Sequence, residues 1–327
     1  MEGHERSNGI SAPDFALPYP DKPEIISENM LKLVQLTPNP RIRFLLHNLV
    51  EMLHEYVRKT SLTTEEWMST IEFLTRTGHT CTPLRQEFIL LSDVMGVSAL
   101  VDAINNPQVG QSTSSSVLGP FFTTDAPDVA HGDSIASEGK GDYMYVEGRV
   151  LSSDGKPIPD AVVETWETDG HGLYDNEYAQ RDAPDCRGRV RTNANGEYGY
   201  RAVVPVAYPI PGDGPVGDIL LLMGRHNMRP NHLHMMVEAP GHKKLTTALY
   251  PEGDSWLASD AVFGVKQSLV VKLGEVDDHA EAKKRGFPKG GKFKLLQFDL
   301  ILPTVEESRA VMEKNAIEYA KKAKVVA

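Results

Sequence analysis

The stretch GRHNMRPNHLHMMVEAPG, residues 224–241, carries two histidines two positions apart. Alternate side chains of a β-strand point to the same face, so His232 and His234 could offer two imidazoles to one metal ion from a single strand. A strand whose polar face happens to carry two histidines would give the same pattern. Arg229 precedes this pair, and its charge could serve a reacting group or form a salt bridge with one of the chain's many acidic residues.

Two tyrosines in turn-rich segments could extend such a site. Tyr174 stands in HGLYDNEY and Tyr208 in VAYPIPGDGPVG, where a buried or rim tyrosine is the ordinary interpretation of each. Anionic phenolate oxygens suit a hard metal cation, and neutral imidazole can complete its coordination. A tyrosine has a pKa of about 10, so a strong local positive charge is needed to ionise it.

Taken together, these motifs resemble a known signature. GLYD, YPIPGDGP and GRHNMRPNHLH are similar to the three parts of the intradiol ring-cleaving dioxygenase pattern, in the same order and at matching separations. The segments 87–105, 114–122 and 259–269 resemble the hydroxyquinol and catechol 1,2-dioxygenase branch, and the likeness covers about residues 30–303. The resemblance implies an enzyme with one non-haem Fe(III) per subunit. Such an enzyme uses O2 to open an aromatic diol or triol between its two hydroxyl-bearing carbons.

The resemblance also implies roles for individual residues. The four iron ligands of the family are matched by Tyr174, Tyr208, His232 and His234. Arg229 matches the arginine beside the substrate. Tyr208 is expected to leave the iron and accept a substrate proton, whereas Tyr174 is expected to stay bound. The substrate pocket of the hydroxyquinol branch is matched by Leu90, Asp93, Val117, Leu118, Gly119, Pro120, Phe121, Ile210, Pro211, Arg229 and Val262.

The branch decides the substrate. The motifs around Asp93, Val117 and Val262 favour hydroxyquinol (benzene-1,2,4-triol), cleaved to 3-hydroxy-cis,cis-muconate (maleylacetate), over catechol, cleaved to cis,cis-muconate. Asp93 could accept a hydrogen bond from the additional 4-hydroxyl, or it could cap or pair locally on its helix. A buried acceptor left unpaired costs about 1–3 kcal/mol, which suffices for roughly tenfold discrimination or more. Ala248 departs from catechol-type relatives, which commonly carry Gln there.

Two other classes of protein are compatible with parts of the pattern. A zinc hydrolase could use His-x-His with a third ligand and an activated water, and Glu238 on the same strand face could be its general base. A non-catalytic β-sandwich binding module with a helical dimerisation arm would need no metal. A hydrolase gives no reason for two tyrosines at these spacings. Both alternatives predict a protein without the colour of a tyrosinate-to-iron charge-transfer band.

The elements that must position these residues are of two kinds. Apolar residues at three- and four-residue steps predict a helix over 39–58, and a capping-box pair, Thr63 and Glu66, predicts the start of another. Further helices are predicted over 88–104 and from 304 to about 323. Between them, short β-branched runs separated by turn signals, without intervening helices, predict an all-β core, a mixed or antiparallel β-sandwich with a helical appendage. These runs are 143–151, 161–167, 189–192, 198–205, 232–239, 244–251, 266–273 and 293–302.

These elements predict three segments: an N-terminal arm and helical dimerisation domain at 1–125, a catalytic β-sandwich with the ferric site at 126–303, and a C-terminal helix at 304–327. The resemblance further implies a homodimer through the N-terminal helices, with a phospholipid bound in an apolar tunnel there.

The chain has 34 Lys and Arg against 45 Asp and Glu among its 327 residues, and this acidic balance is unsuited to binding nucleic acid. The two cysteines, Cys81 and Cys186, form no C-x-x-C pair, and no apolar run suits a signal or a membrane span, so a cytoplasmic location without membrane insertion is expected.

Overall fold

The computed structural model describes residues 10, 12–82, 85–287 and 291–326. The chain divides into two compact units, Met1–Leu74 and Thr75–Ala327. Among the described residues, no helix combines the length and the apolar character needed to cross a membrane.

The first unit is helical. Helix α1, Pro23–Val34, precedes the first helix that the sequence predicted. Helix α2, Pro40–Thr60, confirms the helix predicted over 39–58, and the Asn39 side chain accepts hydrogen bonds from two amides of its first turn. Helix α3, Thr64–Thr80, begins with the predicted capping box, in which Thr63 and Glu66 bond reciprocally at 2.9 and 3.2 Å.

The helices of the second unit correct two predictions. The single helix predicted over 88–104 is two helices, α4 at Glu87–Val94 and α5 at Val97–Asn105, because Gly96 adopts a left-handed φ of 73° between them. Helices α6, Pro215–Leu222, and α7, His279–Lys284, interrupt the strands, contrary to the expectation of none. Both are too short to show a helical period. Helix α8, Val305–Val326, confirms the helix predicted from 304, and Thr304 and Glu307 form a capping box at its start.

Two sheets form the β-core and confirm the predicted mixed sandwich. Parallel and antiparallel pairings occur in both sheets. The strands are β1 Asp128–Val129, β2 Tyr143–Ser152, β3 Val162–Glu167, β4 Arg187–Arg191, β5 Glu197–Val203, β6 Tyr208–Pro209, β7 Met228–Arg229, β8 Leu233–Glu238, β9 Leu245–Pro251, β10 Val270–Val271, β11 Gly274–Asp277, β12 Lys292–Gln297 and β13 Leu300–Leu302.

The larger sheet has the strand order β1-β4-β3-β8-β9-β10, so β8 lies in its interior. The other sheet has the order β11-β12-β2-β13, and β5 also pairs with β2. Strands β6 and β7 form a separate two-stranded ladder. The strand predicted over 266–273 is mostly wrong, since Gln267–Leu269 is a 3₁₀ turn and only two residues of β10 pair. The run predicted over 293–302 is two strands, because the chain leaves the ladder at Phe298 and Asp299 before β13 rejoins the same edge of β2.

The two faces of β8 belong to two separate cores. Leu233, Met235 and Val237 pack into the core shared by the two sheets. Met236 joins a second apolar cluster on the opposite face, which also contains the rings of Tyr174 and Tyr208. The alternation confirms the sequence prediction that the two sets of side chains on this strand point in opposite directions, and it turns the face that carries His234 toward the second cluster.

Candidate metal centre

Four side chains that could bind a metal converge on the second cluster. The phenol oxygen of Tyr174 lies 3.3 Å from that of Tyr208 and 3.4 Å from Nε2 of His232. The Nε2 atoms of His232 and His234 are 3.0 Å apart, and all four side chains are buried. Two donors bonded at about 2.0–2.1 Å to one ion, at an angle of about 90–110°, are separated by about 2.9–3.4 Å. The spacing of these atoms therefore fits a single metal ion.

Strand register places the second histidine. His234 lies opposite Trp166 of β3 on one side and opposite Ala248 of β9 on the other. The indole ring of Trp166 stacks on the imidazole, with centroids 4.7 Å apart and planes within 7°. Ala248 is fully buried, so the only side chain beside His234 on that flank is a methyl group. The stack restricts rotation of the His234 ring and keeps Nε2 directed at the other donors.

The state of both imidazoles suits metal binding. Nδ1 of His232 lies 2.7 Å from the carbonyl oxygen of Pro230, a contact that places the ring proton on Nδ1 and the lone pair on Nε2, the atom that faces the other donors. Burial and the nearby charge of Arg229 hold the pKa of His232 well below its usual range. Burial, with smaller contributions from His232 and Arg229, does the same for the pKa of His234. The two rings are therefore neutral, which is the form that binds metals.

The phenols require a cation to ionise. Burial raises the pKa of Tyr174 well above its usual range, and the neighbouring Tyr208 raises it further. Burial also raises the pKa of Tyr208, but the charge of Arg229 opposes that effect. Such phenols stay protonated unless a strongly charged ion binds to them, and hard, highly charged Fe(III) is the kind of ion that phenolate oxygen prefers. The donor set therefore fits ferric iron.

Tyr174 is held from several directions. Its ring stacks on Phe121, with centroids 4.4 Å apart. The adjacent Asp175 is fully buried and accepts hydrogen bonds from Arg187 and Arg181. Arg187 also donates to the carbonyl oxygen of Phe121 at 3.2 Å, so one guanidinium joins the turn after Tyr174 to the segment that carries its stacking partner. The Tyr174 phenol is consequently fixed in place.

Tyr208 has a different setting. It belongs to the two-residue strand β6, whose partner β7 places Arg229 directly opposite. Nη1 of Arg229 lies 3.3 Å from the Tyr208 phenol oxygen and 3.1 Å from Nε2 of His232. The guanidinium is buried and forms an ion pair with Asp260, in which Nε lies 3.2 Å from the carboxylate. A fixed positive charge therefore lies against the one tyrosine that is held by a short strand.

The residues expected to line a substrate pocket are only partly brought together. Leu90, Val117, Ile210 and Val262 are buried in the cluster that contains the two tyrosines, and Phe121 packs against it. The Asp93 carboxyl is also buried. A Cβ atom at Gly119, whose φ is +74°, would lie 3.6 Å from Nε2 of His234. Leu118 is 40% exposed and does not belong to the cluster, and Pro120 and Pro211 are half-buried.

Several residues of the site escaped the sequence analysis. Trp166 lies in the predicted strand 161–167 and Asp260 in the motif 259–269, but neither was singled out. Arg187 and Tyr250 were given no role. No spacing rule could have found them, because cross-strand register and long-range contacts bring them to the site. Asp260 was the easiest of these residues to predict, because it is an acidic residue within a motif already singled out.

The features expected of a zinc hydrolase are not supported. Glu238, the proposed base, lies at the exposed end of β8 and pairs with Lys244. Within the described ranges, no group of three or more His, Cys, Asp or Glu side chains could hold a metal ion. The donor set around the two histidines is completed by tyrosines.

Comparison with known proteins gives the class to which this fold and this site belong. Residues 117–304 match the family described as Dioxygenase, and residues 39–113 match the family described as Catechol dioxygenase N terminus. The chain is 42% identical over 293 residues to the intradiol ring-cleavage dioxygenase hqdA of Aspergillus niger, covering 90% of this chain and 88% of that protein. A hydroxyquinol 1,2-dioxygenase of Rhizobium sp. is 42% identical over 81% of this chain and 90% of its own length.

Solved structures agree with the sequence comparison. The crystal structure of a hydroxyquinol 1,2-dioxygenase from Pseudomonas putida matches with a TM-score of 0.79 and 41% identity, covering 86% of this chain and 98% of that one. A catechol 1,2-dioxygenase from Pseudomonas arvilla matches with a TM-score of 0.75 and 28% identity, over 85% and 91% of the two chains. The fold and the site thus define a ring-cleaving dioxygenase. The chain belongs to the intradiol ring-cleavage dioxygenase family, whose members generally use non-haem Fe(III).

Proposed function

We propose that this enzyme is a hydroxyquinol 1,2-dioxygenase that holds one Fe(III) through Tyr174, Tyr208, His232 and His234. The observation that carries the iron site is the series of three contacts, of 3.0–3.4 Å each, that links the four buried donor atoms. When bound there, ferric iron would supply a Lewis-acidic, electron-accepting centre for an aromatic diol.

The protein's own residues would then handle protons and charge. A ring hydroxyl must lose its proton to bind a metal as an anion. We infer that the Tyr208 oxygen accepts that proton, since it is one of the proposed ligands and faces the guanidinium of Arg229 at 3.3 Å. Arg229, with Nη1 3.3 Å from that oxygen, would stabilise anionic charge that develops on the ring. Both groups act in a buried site, where charges are weakly screened.

The substrate preference rests on Asp93. Its carboxyl is buried, and Leu90, Val117 and Val262, which also match pocket positions, lie in the apolar cluster around the two tyrosines. Burial raises the pKa of Asp93 and removes water as a partner for its carboxyl, so a ligand hydroxyl could take that place. The third hydroxyl of hydroxyquinol could make that bond, and catechol could not. The relatives of this chain that are named hydroxyquinol 1,2-dioxygenases support the same substrate.

A catechol 1,2-dioxygenase is the second candidate. The Ser98 hydroxyl opposes the rise in the pKa of Asp93, so this carboxyl already has a polar neighbour within the protein. If that neighbour satisfies Asp93, then the third hydroxyl adds little. Ala248, which stands where catechol-type relatives commonly carry Gln, argues in the other direction.

Oxygen uptake by the purified enzyme separates the two candidates. We expect kcat/KM to be higher for hydroxyquinol than for catechol, and Asp93→Ala should reduce that ratio by roughly 5- to 150-fold, which corresponds to about 1–3 kcal/mol for one unpaired buried group. The matched control is Asp102→Asn, which removes another part-buried carboxylate, paired with Lys266 at 2.9 Å. A wild-type preference for catechol that Asp93→Ala does not change would favour the second candidate.

The iron site has a separate test. The purified protein should show a red-brown tyrosinate-to-iron band under anaerobic conditions, and the band should shift when hydroxyquinol is added. A protein that stays colourless after ferric reconstitution would refute the iron site.

We also propose a homodimer that is formed through the helical segment 1–125 and carries bound phospholipid, with 126–303 as the catalytic domain and 304–327 as a terminal helix. Within the first unit, helix α2 carries exposed apolar side chains, among them Phe44, Leu49, Met52 and Leu53. An apolar stripe of this length is expected to be covered by protein or by acyl chains. Light scattering of the purified protein and mass spectrometry of a chloroform extract test the dimer and the lipid.

A further inference from the structure

The guanidinium of Arg229 uses its two edges for different purposes. On one edge, Nη1 faces the Tyr208 phenol oxygen at 3.3 Å and Nε2 of His232 at 3.1 Å. On the other edge, Nε and Nη2 lie 3.2 and 3.4 Å from the two carboxylate oxygens of Asp260, and Nη2 also lies 3.4 Å from the Tyr250 hydroxyl. A planar guanidinium held along one edge can present the opposite edge in only one direction.

Asp260 is itself held by the backbone. Its carboxylate accepts hydrogen bonds from the amides of Gly264 at 2.9 Å and Val262 at 3.3 Å, and the side chain is 2% exposed. This carboxylate therefore anchors the loop that carries Val262, a residue of the apolar cluster around the two tyrosines. The orientation of the guanidinium and the position of this loop depend on the same group.

Gly264 closes the arrangement. A Cβ atom at this position would lie 2.7 Å from the Tyr250 hydroxyl, 2.9 Å from Nη2 of Arg229 and 3.1 Å from a carboxylate oxygen of Asp260. The Tyr250 hydroxyl is further placed by Ser116, whose Oγ lies 3.3 Å from it and donates to the Gly264 carbonyl at 2.8 Å. The loop backbone thus packs directly on the ion pair, and the far edge of the guanidinium has no room to turn.

We propose that Asp260 is a positioning residue for the dioxygenase reaction: it holds the Nη1 edge of Arg229 against Tyr208 and His232, where the reacting ring is bound. The inference rests on the proposed function, which places Arg229 beside the substrate. It adds that the placement depends on a carboxylate that does not touch the four proposed ligands. Arg229 acts on charge that develops during the reaction, so misdirecting it should reduce kcat more than it raises KM.

Two variants and one control test this proposal. Asp260→Asn removes the charge of the partner, whereas Gly264→Ala keeps every atom of the ion pair and displaces it sterically. We expect each to lower kcat by roughly 30- to 100-fold with KM changed by less than about threefold, because a displacement of about 1 Å can reduce the rate by this order. Iron content and the tyrosinate band should stay as in the wild type, since all four proposed ligands are intact. Asp102→Asn, which removes a carboxylate ion-paired with Lys266, should leave kcat unchanged.

The outcomes are distinct. The proposal is overturned if the Asp260→Asn variant folds, binds ferric iron and keeps kcat within threefold of the wild type. It is also overturned if Asp102→Asn lowers kcat as much as Asp260→Asn does. If Asp260→Asn does not fold or does not bind iron, Gly264→Ala decides: a selective loss of kcat supports the positioning role, and an unchanged kcat overturns it. A wild-type protein without the tyrosinate band refutes the proposed function, and the inference fails with it.

Discussion

Replacing Asp175 by Asn should destabilise this protein far more than the removal of an exposed carboxylate nearby. Asp175 is fully buried and forms ion pairs with Arg187, whose side chain is 2% exposed, and with Arg181, whose side chain is 26% exposed. The substitution removes the countercharge of the buried Arg187 cation, whose other acceptors are the neutral Phe121 carbonyl and Thr123 hydroxyl. Removing one partner of a buried ion pair costs about 3–5 kcal/mol.

Arg181 provides an internal comparison for that magnitude. The same guanidinium also pairs with Asp125, whose side chain is 47% exposed. Exposed pairs contribute only about 0–1 kcal/mol, because water screens both charges in the folded and the unfolded chain. Asp125→Asn should therefore lower the free energy of unfolding by no more than about 1 kcal/mol, although it loses a partner on the same arginine.

The assay is equilibrium unfolding of the iron-loaded proteins in urea, followed by far-ultraviolet circular dichroism. Because Arg187 joins the turn after Tyr174 to the segment that carries Phe121, Asp175→Asn should also speed the transfer of iron to a competing chelator, and Asp125→Asn should not. If the two variants unfold within about 0.5 kcal/mol of each other, the buried pair is not what fixes the Tyr174 turn, and the argument from its burial is refuted.

Two further predictions concern pH. Burial raises the pKa of Glu167 in the folded chain well above its usual range. Between the pKa of the unfolded chain and that of the folded chain, the folded state binds more protons. The free energy of unfolding of the wild type should therefore decline as pH rises through that window. Glu167→Gln can still accept the hydrogen bond from the Val203 amide. This variant should abolish the decline and raise the free energy of unfolding near neutral pH. A steeper decline in the variant would contradict the assignment of the pH dependence to Glu167. Ferric binding must displace the protons of the Tyr174 and Tyr208 phenols, so the iron affinity measured against a competing chelator should rise with pH. Tyr174→Phe should reduce the slope of log affinity against pH by about one proton. An unchanged slope would exclude Tyr174 as a ligand.

The features that follow a fixed period were predictable from the sequence. The alternation of His234 and Met235 between the two faces of β8 is one such feature, since it needs only the two-residue repeat of a strand. The capping boxes at Thr63 and Thr304 are others, because a cap depends on residues three positions apart. The family signature then indicated which tyrosines belong with the histidines, which spacing alone could not do.

The remaining features depend on contacts that no local pattern encodes. The break between α4 and α5 occurs at Gly96, inside a run whose apolar period continues across it. Helix α6 has eight residues, too few for a helical repeat to stand out from the strands around it. Trp166 reaches His234 only because β3 and β8 pair in one particular register. Each of these features is decided by tertiary packing, which overrides or supplements local preference.

The two tyrosines of the site carry the same chemical group but differ in how the fold holds them. The Tyr174 ring is stacked on Phe121, and its turn is fixed by the buried pair of Asp175 and Arg187, so moving this phenol would disturb three segments at once. Tyr208 lies on a two-residue strand, and its oxygen faces the guanidinium of Arg229 across that ladder. A phenol that leaves a metal and takes up a proton needs a neighbour that tolerates a change of charge. Arg229 is such a neighbour for Tyr208, in keeping with the proposed role of Tyr208 as the replaceable ligand and base.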